Sequence, residues 1–265
     1  MIDIHCHLLP GIDDGPQTIE EALLLAQALV ADGVEHVVCT PHVFPGRFPN
    51  LNASIQDDFD KFVPQLRSAG IDLSLSWAGE VRLTPEILAL NQKGLVPLLG
   101  ESASGKTVML LEMPDGQVPV GTEQFIERLQ RLNIKAVIAH PERNRGVMDN
   151  VERIRDLVSM GCYMQLTAGS LTGHFGERAQ RTAQAMMDAG WVHAVASDAH
   201  NVGARRPRMT EARDWLHRHY GAAVARQLTF FGPSLLCKRL GKRLPLPNIS
   251  GVQGSDGPRP LDIAL

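Results

Sequence analysis

No apolar run in the 265-residue sequence approaches the roughly 18 residues that a membrane-spanning helix needs. The opening stretch, MIDIHCHLLPGIDDG, has neither the basic nor the apolar region of a signal peptide, so none is expected. A basic excess is missing too. The 26 Lys and Arg stand against 29 Asp and Glu, a net charge of −3, which argues against a general nucleic-acid binder. The four cysteines (Cys6, Cys39, Cys162, Cys237) lie far apart and form no CxxC pair. Reduced thiols in the cytoplasm fit that usage better than a disulfide framework. No close sequence repeat is present. What remains is an ordinary globular composition, 44% hydrophobic and 21% charged, long enough to bury a real core.

A unit does recur: a short apolar run, a polar turn, then an amphipathic helical stretch. The runs are IDIHCH (2–7), HVVCTPH (36–42), LSLSWAGEV (73–81), TVMLLEMP (107–114), KAVIAHPE (135–142), CYMQLTAG (162–169) and HAVASDAH (193–200). They are rich in Val, Ile and Leu and bounded by Gly, Pro or Asp, as buried parallel strands are. Helical patterns fill the gaps, from Thr18 to Gly33 and over about 54–69, 122–132, 150–160, 176–189 and 207–220. Seven consecutive βα units predict an α/β fold, a closed barrel smaller or more distorted than the usual eight-stranded form. From Leu244 onward the chain is rich in Pro, Gly and Ser without periodicity. This divides it into one domain over 1–243 and a flexible tail over 244–265.

In a βα barrel the chemistry collects where the strands end. Six of the seven runs deliver a His, Asp or Glu at that end, which an apolar strand gives no reason to do. The residues are His5, His7, Asp14, His42, Glu80, Glu112, His140, Asp198 and His200. Residues two apart on a strand share a face, so His5 points with His7, and Asp198 with His200. Each residue alone has a plainer reading: a lone HxH pair is weak, a single His is more often a core residue, and Asp14 also suits a turn or helix cap. His36, His193, His217 and His219 read as structural or surface residues, His174 is ambiguous, and Glu142 reads as a support for its neighbours. The set is what carries weight. One ion needs about three protein ligands, so nine suggest three ions.

The segments IDIHCHLLPGIDDGP, CTPH, GEVRL, LLEMP, IAHPERN, TAGSLTG and SDAHN occur in an order that resembles the polymerase and histidinol phosphatase (PHP) superfamily. Within it they resemble the CpsB-type capsular-polysaccharide tyrosine phosphatases, over residues 1 to about 240. The resemblance implies a distorted seven-stranded TIM-like barrel holding three divalent ions, commonly manganese, iron or zinc. By motif, His5, His7, Glu80 and Asp198 would hold the first ion. Glu80, Glu112 and His140 would hold the second, with Glu80 bridging, and Asp14, His42 and His200 the third. Two arginines would bind phosphate: Arg143 of the HPER motif, and Arg205 or its neighbour Arg206, with spacing from His200 favouring Arg205. Cys6 stands where the family has a small polar residue, and it should face away from the two histidines.

The implied activity is hydrolysis of phosphotyrosine on a bacterial tyrosine autokinase that controls capsule or exopolysaccharide synthesis. The expected chemistry is in-line attack by a metal-bridging hydroxide. The tyrosyl leaving group, with a free pKa of about 10, needs little protonation. The segment HVFPGRFPN (42–50) reads equally as a flap over the phosphotyrosine ring or as an ordinary loop. Two other functions remain open, a small-molecule phosphatase such as a histidinol phosphatase and a non-catalytic PHP-like binding module. Cys237 to Arg243 formally matches the Cys-x5-Arg pattern of cysteine phosphatases, but FGPSLLCKRLGKRLP reads as a short helix before a proline-rich tail, and a chance match is the better reading.

Overall fold

The computed structural model describes residues 1–101 and 106–237. Its strands are β1 (Ile2–Cys6), β2 (His36–Cys39), β3 (His42–Val43), β4 (Ser74–Trp77), β5 (Glu80–Arg82), β6 (Gly100–Glu101), β7 (Thr107–Glu112), β8 (Ile134–Ala139), β9 (Tyr163–Thr167) and β10 (Ala194–Ala196). Hydrogen bonding links β1–β2–β4 and β3–β5–β7–β8–β9–β10, all in parallel, while β6 adds antiparallel to β7. The two paths are one. β2 and β3 are a single run broken at Thr40-Pro41, where the proline has no N–H to give. β4 and β5 are likewise one run, broken at Ala78-Gly79, and the ladder crosses both breaks through Ala78 N–H to Cys39 O and Glu80 N–H to Pro41 O.

Seven staves result, one for each apolar run, and the circuit closes between β10 and β1. Asp198 N–H donates to His5 O at 2.8 Å and His7 N–H to Ala199 O at 2.9 Å. The Asp3 carboxylate completes the seam by accepting from Ser197 N–H at 3.0 Å. The result is a seven-stave parallel barrel. Alternation sorts the side chains: Ile2, Ile4, Val38, Val108, Leu110, Val137, Ala194 and Ala196 fill the lumen, whereas Val37, Met109, Leu111, Ile138 and Val195 pack toward the surrounding helices.

β1 departs from plain alternation. Asp3 pairs with Val37 and Cys6 with Cys39, so Ile4 and His5 together oppose Val38. This bulge changes the phase of the strand. It brings His5 and His7 to the lumen side and sends Cys6 into the outer core, its Sγ 3.5 Å from Ala199 O.

The first helix, Ile19–Ala31, starts where Thr18 Oγ1 accepts the Glu21 N–H at 3.2 Å. Other helical stretches differ from expectation in particular ways. The segment over 150–160 divides into a 3₁₀ turn, Val151–Ile154, and a short helix, Arg155–Ser159, after Asn150 caps the turn. A helix at Glu86–Gln92 was not expected, because Ile87 is its sole buried residue and the apolar pattern is correspondingly thin. The helix expected over 207–220 runs from Met209 to Arg226, across a break at Gly221 where φ is 86°. A short helix, Gly232–Leu236, precedes Cys237, and the tail expected from Leu244 lies outside the described residues.

Away from the barrel mouth, His36 is buried between the hydroxyls of Ser74 and Ser76, each 3.0 Å from a ring nitrogen. Burial pushes its pKa down to about 4. An unfolded chain, with an ordinary histidine pKa of about 6.5, therefore takes up the proton first as pH falls, and the folded state loses stability from pH 6.5 downward. The linkage amounts to about 2 kcal/mol between pH 7 and pH 5. Denaturant unfolding at those two pH values should show His36→Gln with a correspondingly smaller acid loss than the parent. Equal losses would remove His36 as the cause.

Candidate metal centre

The nine candidate ligands all meet at the mouth formed by the C-terminal ends of the strands. His5 is the penultimate residue of β1 and His7 follows the strand; Asp14 lies in the next turn; His42 and Glu80 open β3 and β5; Glu112 closes β7; His140 follows β8; and Asp198 and His200 follow β10. They fall into four overlapping groups whose ligand atoms lie within 4.8 Å of one another. These are His7, Asp14, His42 and His200; His5, His7 and Glu80; His5, His140 and Asp198; and His42, Glu80 and Glu112. The structure thus places Glu112 with His42 and Glu80. His140 lies against Glu80 at 2.7 Å and beside His5 and Asp198, instead of forming a group with Glu112.

The spacing fits an ion. His5 Nε2 and His7 Nε2 are 3.4 Å apart, each 3.3 Å from a Glu80 oxygen and 3.4 Å from Asp198 Oδ1. Neither Glu80 Oε2 nor Asp198 Oδ1 has an aligned hydrogen-bond partner, although both are buried. A tetrahedral ion with bonds of about 2.1 Å holds its ligand atoms roughly 3.4 Å apart. Asp14 Oδ1 similarly stands 3.2 Å from both His42 Nε2 and His200 Nε2. Backbone strain accompanies the site: His140 (φ 31°) and Asp198 (φ 51°) adopt left-handed conformations that non-glycine residues avoid.

The family model for capsular polysaccharide synthesis, CpsB/CapC, matches residues 1–238. The chain belongs to the CpsB/CapC family. Among its relatives is the tyrosine-protein phosphatase YwqE of Bacillus subtilis, 34% identical over 229 residues that cover 86% of this chain and 89% of YwqE. The tyrosine-protein phosphatase CpsB of Streptococcus pneumoniae is 31% identical, covering 88% of this chain and 96% of that one. A crystal structure from work on YwqE and CpsB, described as metal-dependent tyrosine phosphatases, superposes with a TM-score of 0.82 at 34% identity, covering 89% of this chain and 94% of that chain. A mutant organophosphorus hydrolase from Deinococcus radiodurans shares the fold alone, at 15% identity and a TM-score of 0.51, over 89% and 92% of the two chains.

In this CpsB/CapC member the mouth demands positive charge. Burial works against the carboxylates of Glu80 and Asp198, yet His5 and its neighbouring cations hold both well below the usual carboxylate range. Reciprocally, burial works against the His7 and His42 cations, but the carboxylates around them raise His7 well above its ordinary value and His42 to about 9. His200 goes the other way, down to about 4, through burial and the nearby His7 charge. A divalent ion held by these residues would supply that positive charge directly.

Two guanidinium groups close on the outer oxygen of Asp198. Arg143 Nη1 and Arg205 Nη2 both donate to Oδ2, the latter at 2.6 Å, and Arg205 Nη1 lies 2.9 Å from His200 Nε2. Arg143 also stacks on Phe175, 4.4 Å from the ring centre, while Arg206 turns outward to Glu211. Glu142, fully buried, accepts from Thr167 N–H at 2.9 Å and Ser170 Oγ at 2.7 Å, and so ties the loop of Arg143 to the end of β9. The sequence assigns no role to Asp13, the neighbour of the candidate ligand Asp14, or to Gln165, the buried polar residue of the one strand that ends in no ligand. A polar side chain at a lumen position of an apolar strand was the available signal.

Proposed function

We propose that the protein is a metal-dependent protein-tyrosine phosphatase acting on a bacterial tyrosine autokinase of capsule or exopolysaccharide synthesis. The observation that carries this reading is the convergence of nine nitrogen and oxygen ligands beside two guanidinium groups. The names of the relatives support the same activity. Three divalent ions are assigned, the first to His5, His7, Glu80 and Asp198, the second to Glu80, Glu112 and His140, and the third to Asp14, His42 and His200. A mixed nitrogen and oxygen set suits manganese, iron or zinc. Bound there, such ions supply a water of near-neutral pKa and offset charge on the phosphoryl oxygens. Arg143 and Arg205 turn from Asp198 to the phosphoryl oxygens when phosphate enters, using the paired donors of guanidinium. No helix among the described residues is long and apolar enough to cross a membrane, and action in the cytoplasm belongs to the same proposal.

The segment over 42–50 is more than a plain connection. Phe44 and Phe48 bridge across a tight turn, Phe48 stacks on the His42 ring at 5.2 Å, and Phe44 lies over Arg82. It forms an aromatic wall beside the centre, and we assign to it contact with the substrate ring. The deciding experiment compares turnover of a phosphotyrosine peptide with that of histidinol phosphate. The aryl ester should be hydrolysed and the alkyl ester, whose alkoxide is far more basic, should not. Preference for histidinol phosphate would overturn the assignment in favour of a small-molecule phosphatase.

Cysteine chemistry is disfavoured at Cys237. Its thiol is buried, donates to Pro233 O at 2.9 Å, and is pushed by burial up to about 12, away from the thiolate that a nucleophile requires. Arg243, the other end of that pattern, lies outside the described residues. Cys237→Ser is expected to retain kcat/KM on the phosphotyrosine peptide within about twofold, whereas an inactive variant would refute the metal mechanism.

A further inference from the structure

Behind the two imidazoles of β1 stand two side chains that belong to no ligand group. His7 Nδ1 donates to Asp13 Oδ2 at 2.7 Å, and His5 Nδ1 donates to Gln165 Oε1 at 2.9 Å. The Gln165 amide has one sensible orientation, because its nitrogen donates to Leu166 O at 2.8 Å and leaves the oxygen for His5. Each imidazole therefore carries a proton on Nδ1 and turns Nε2 to the centre.

The two supports differ in reach. Gln165 serves His5. Asp13 serves three groups at once: its Oδ2 also accepts the His42 backbone N–H at 3.0 Å, and its Oδ1 accepts the Gly15 N–H at 2.9 Å. The turn that carries Asp14 is packed hard against His7, since a Cβ at Gly15 would fall 2.5 Å from His7 O. One buried carboxylate thus fixes the ring of His7, the backbone of His42 and the turn of Asp14.

We infer that Asp13 is a positioning residue that holds two ligand groups in register, the one of His5, His7 and Glu80 and the one of His7, Asp14, His42 and His200, whereas Gln165 positions His5 alone. This rests on the metal-centre reading above. Groups that orient a ligand typically contribute 10- to 100-fold to metal affinity. For Asp13 that loss should spread over more than one bound ion, and for Gln165 it should stay with one.

Asp13→Asn is the sharp variant. Three N–H groups converge on Asp13, and asparagine offers a single oxygen. If its amide nitrogen faces His7, that ring must accept at Nδ1 and carry its proton on Nε2, where the ion would bind. Long-range ¹H–¹⁵N correlation spectra of the metal-free full chain read which nitrogen is protonated, and competition between protein and a chromophoric chelator for Zn²⁺ reads affinity and stoichiometry. The expected result is a change in the His7 ring-nitrogen correlations, as the carboxylate partner of Nδ1 is lost, and a 10- to 100-fold weaker affinity for at least two equivalents of Zn²⁺. Gln165→Ala should weaken one equivalent. Asp13→Glu, which keeps the carboxylate, should recover part of the affinity; a merely structural turn would be damaged as much by Glu as by Asn. The inference is overturned if Asp13→Asn leaves the His7 ring-nitrogen correlations unchanged, binds every equivalent as the parent does, or loses one equivalent only. A parent chain that binds no Zn²⁺ would instead refute the metal reading, and the protonation measurement would still decide the positioning role.

Discussion

Removing divalent ions with a chelator is expected to abolish hydrolysis of a phosphotyrosine peptide, and Glu80→Gln is expected to lower kcat by about 10³-fold or more in the metal-replete protein. Glu80 is the hub of the mouth. Its carboxylate lies 3.3 Å from His5 Nε2 and His7 Nε2, 2.8 Å from His42 Nδ1 and 2.7 Å from His140 Nε2. Glutamine preserves the shape and removes the charge on which four imidazoles converge. Burial leaves no water to replace it, since Glu80 is 1% exposed. Metal analysis and kinetics on the same sample check both effects together. Full activity in a preparation shown to be metal-free would refute the centre as the seat of catalysis. Full activity of Glu80→Gln with full metal content would remove Glu80 from it.

Arg143→Ala should reduce kcat/KM by about 10²- to 10³-fold with metal content unchanged. The guanidinium is three-quarters buried, stacked on Phe175 and held at Asp198, so it stands beside the centre before any substrate arrives. It also lines the cleft formed with Met113, Asp115, Ala139, His140 and Asn144, which opens beside the ligands. Lysine should recover little, because a point charge on a flexible stem replaces neither the paired donors nor the stacking. If Arg143→Ala lost metal in proportion to activity, its part would be to hold Asp198 rather than phosphate.

Much of this was legible in the sequence because two simple signals coincide. Apolar runs of strand length mark the seven staves, and a polar residue after each of six runs marks the mouth. Periodicity reports which face a side chain takes. It does not report how far the chain turns after a strand ends, and so it does not give which ligand atoms stand nearest one another. His140 and Asp198 leave their strands through left-handed backbone, which Asp and His adopt more readily than most residues but too seldom for the sequence to announce it. Glu112 accordingly lies with His42 and Glu80, and His140 with His5 and Asp198. Asp13 was passed over for a different reason: an Asp-Asp-Gly turn explains itself locally, so its contact with His7 across six positions left no trace in composition. The helix at Glu86–Gln92 buries too little to imprint a period.

In β1, one residue separates two different proteins. Strict alternation from Ile2 would put Cys6 in the lumen beside Ile4 and bury both histidines under the helices; the extra residue between Asp3 and Cys6 leaves Ile4 in the lumen, brings His5 and His7 to that side and sends Cys6 outward. In the gene, a single codon gained or lost in β1 decides whether its two imidazoles reach the mouth beside the ligands of the other strands. Substitution alone would have to change several residues in concert to make the same passage. A change in strand length would thus withdraw two candidate ligands at once, and comparison by residue identity alone would not register it.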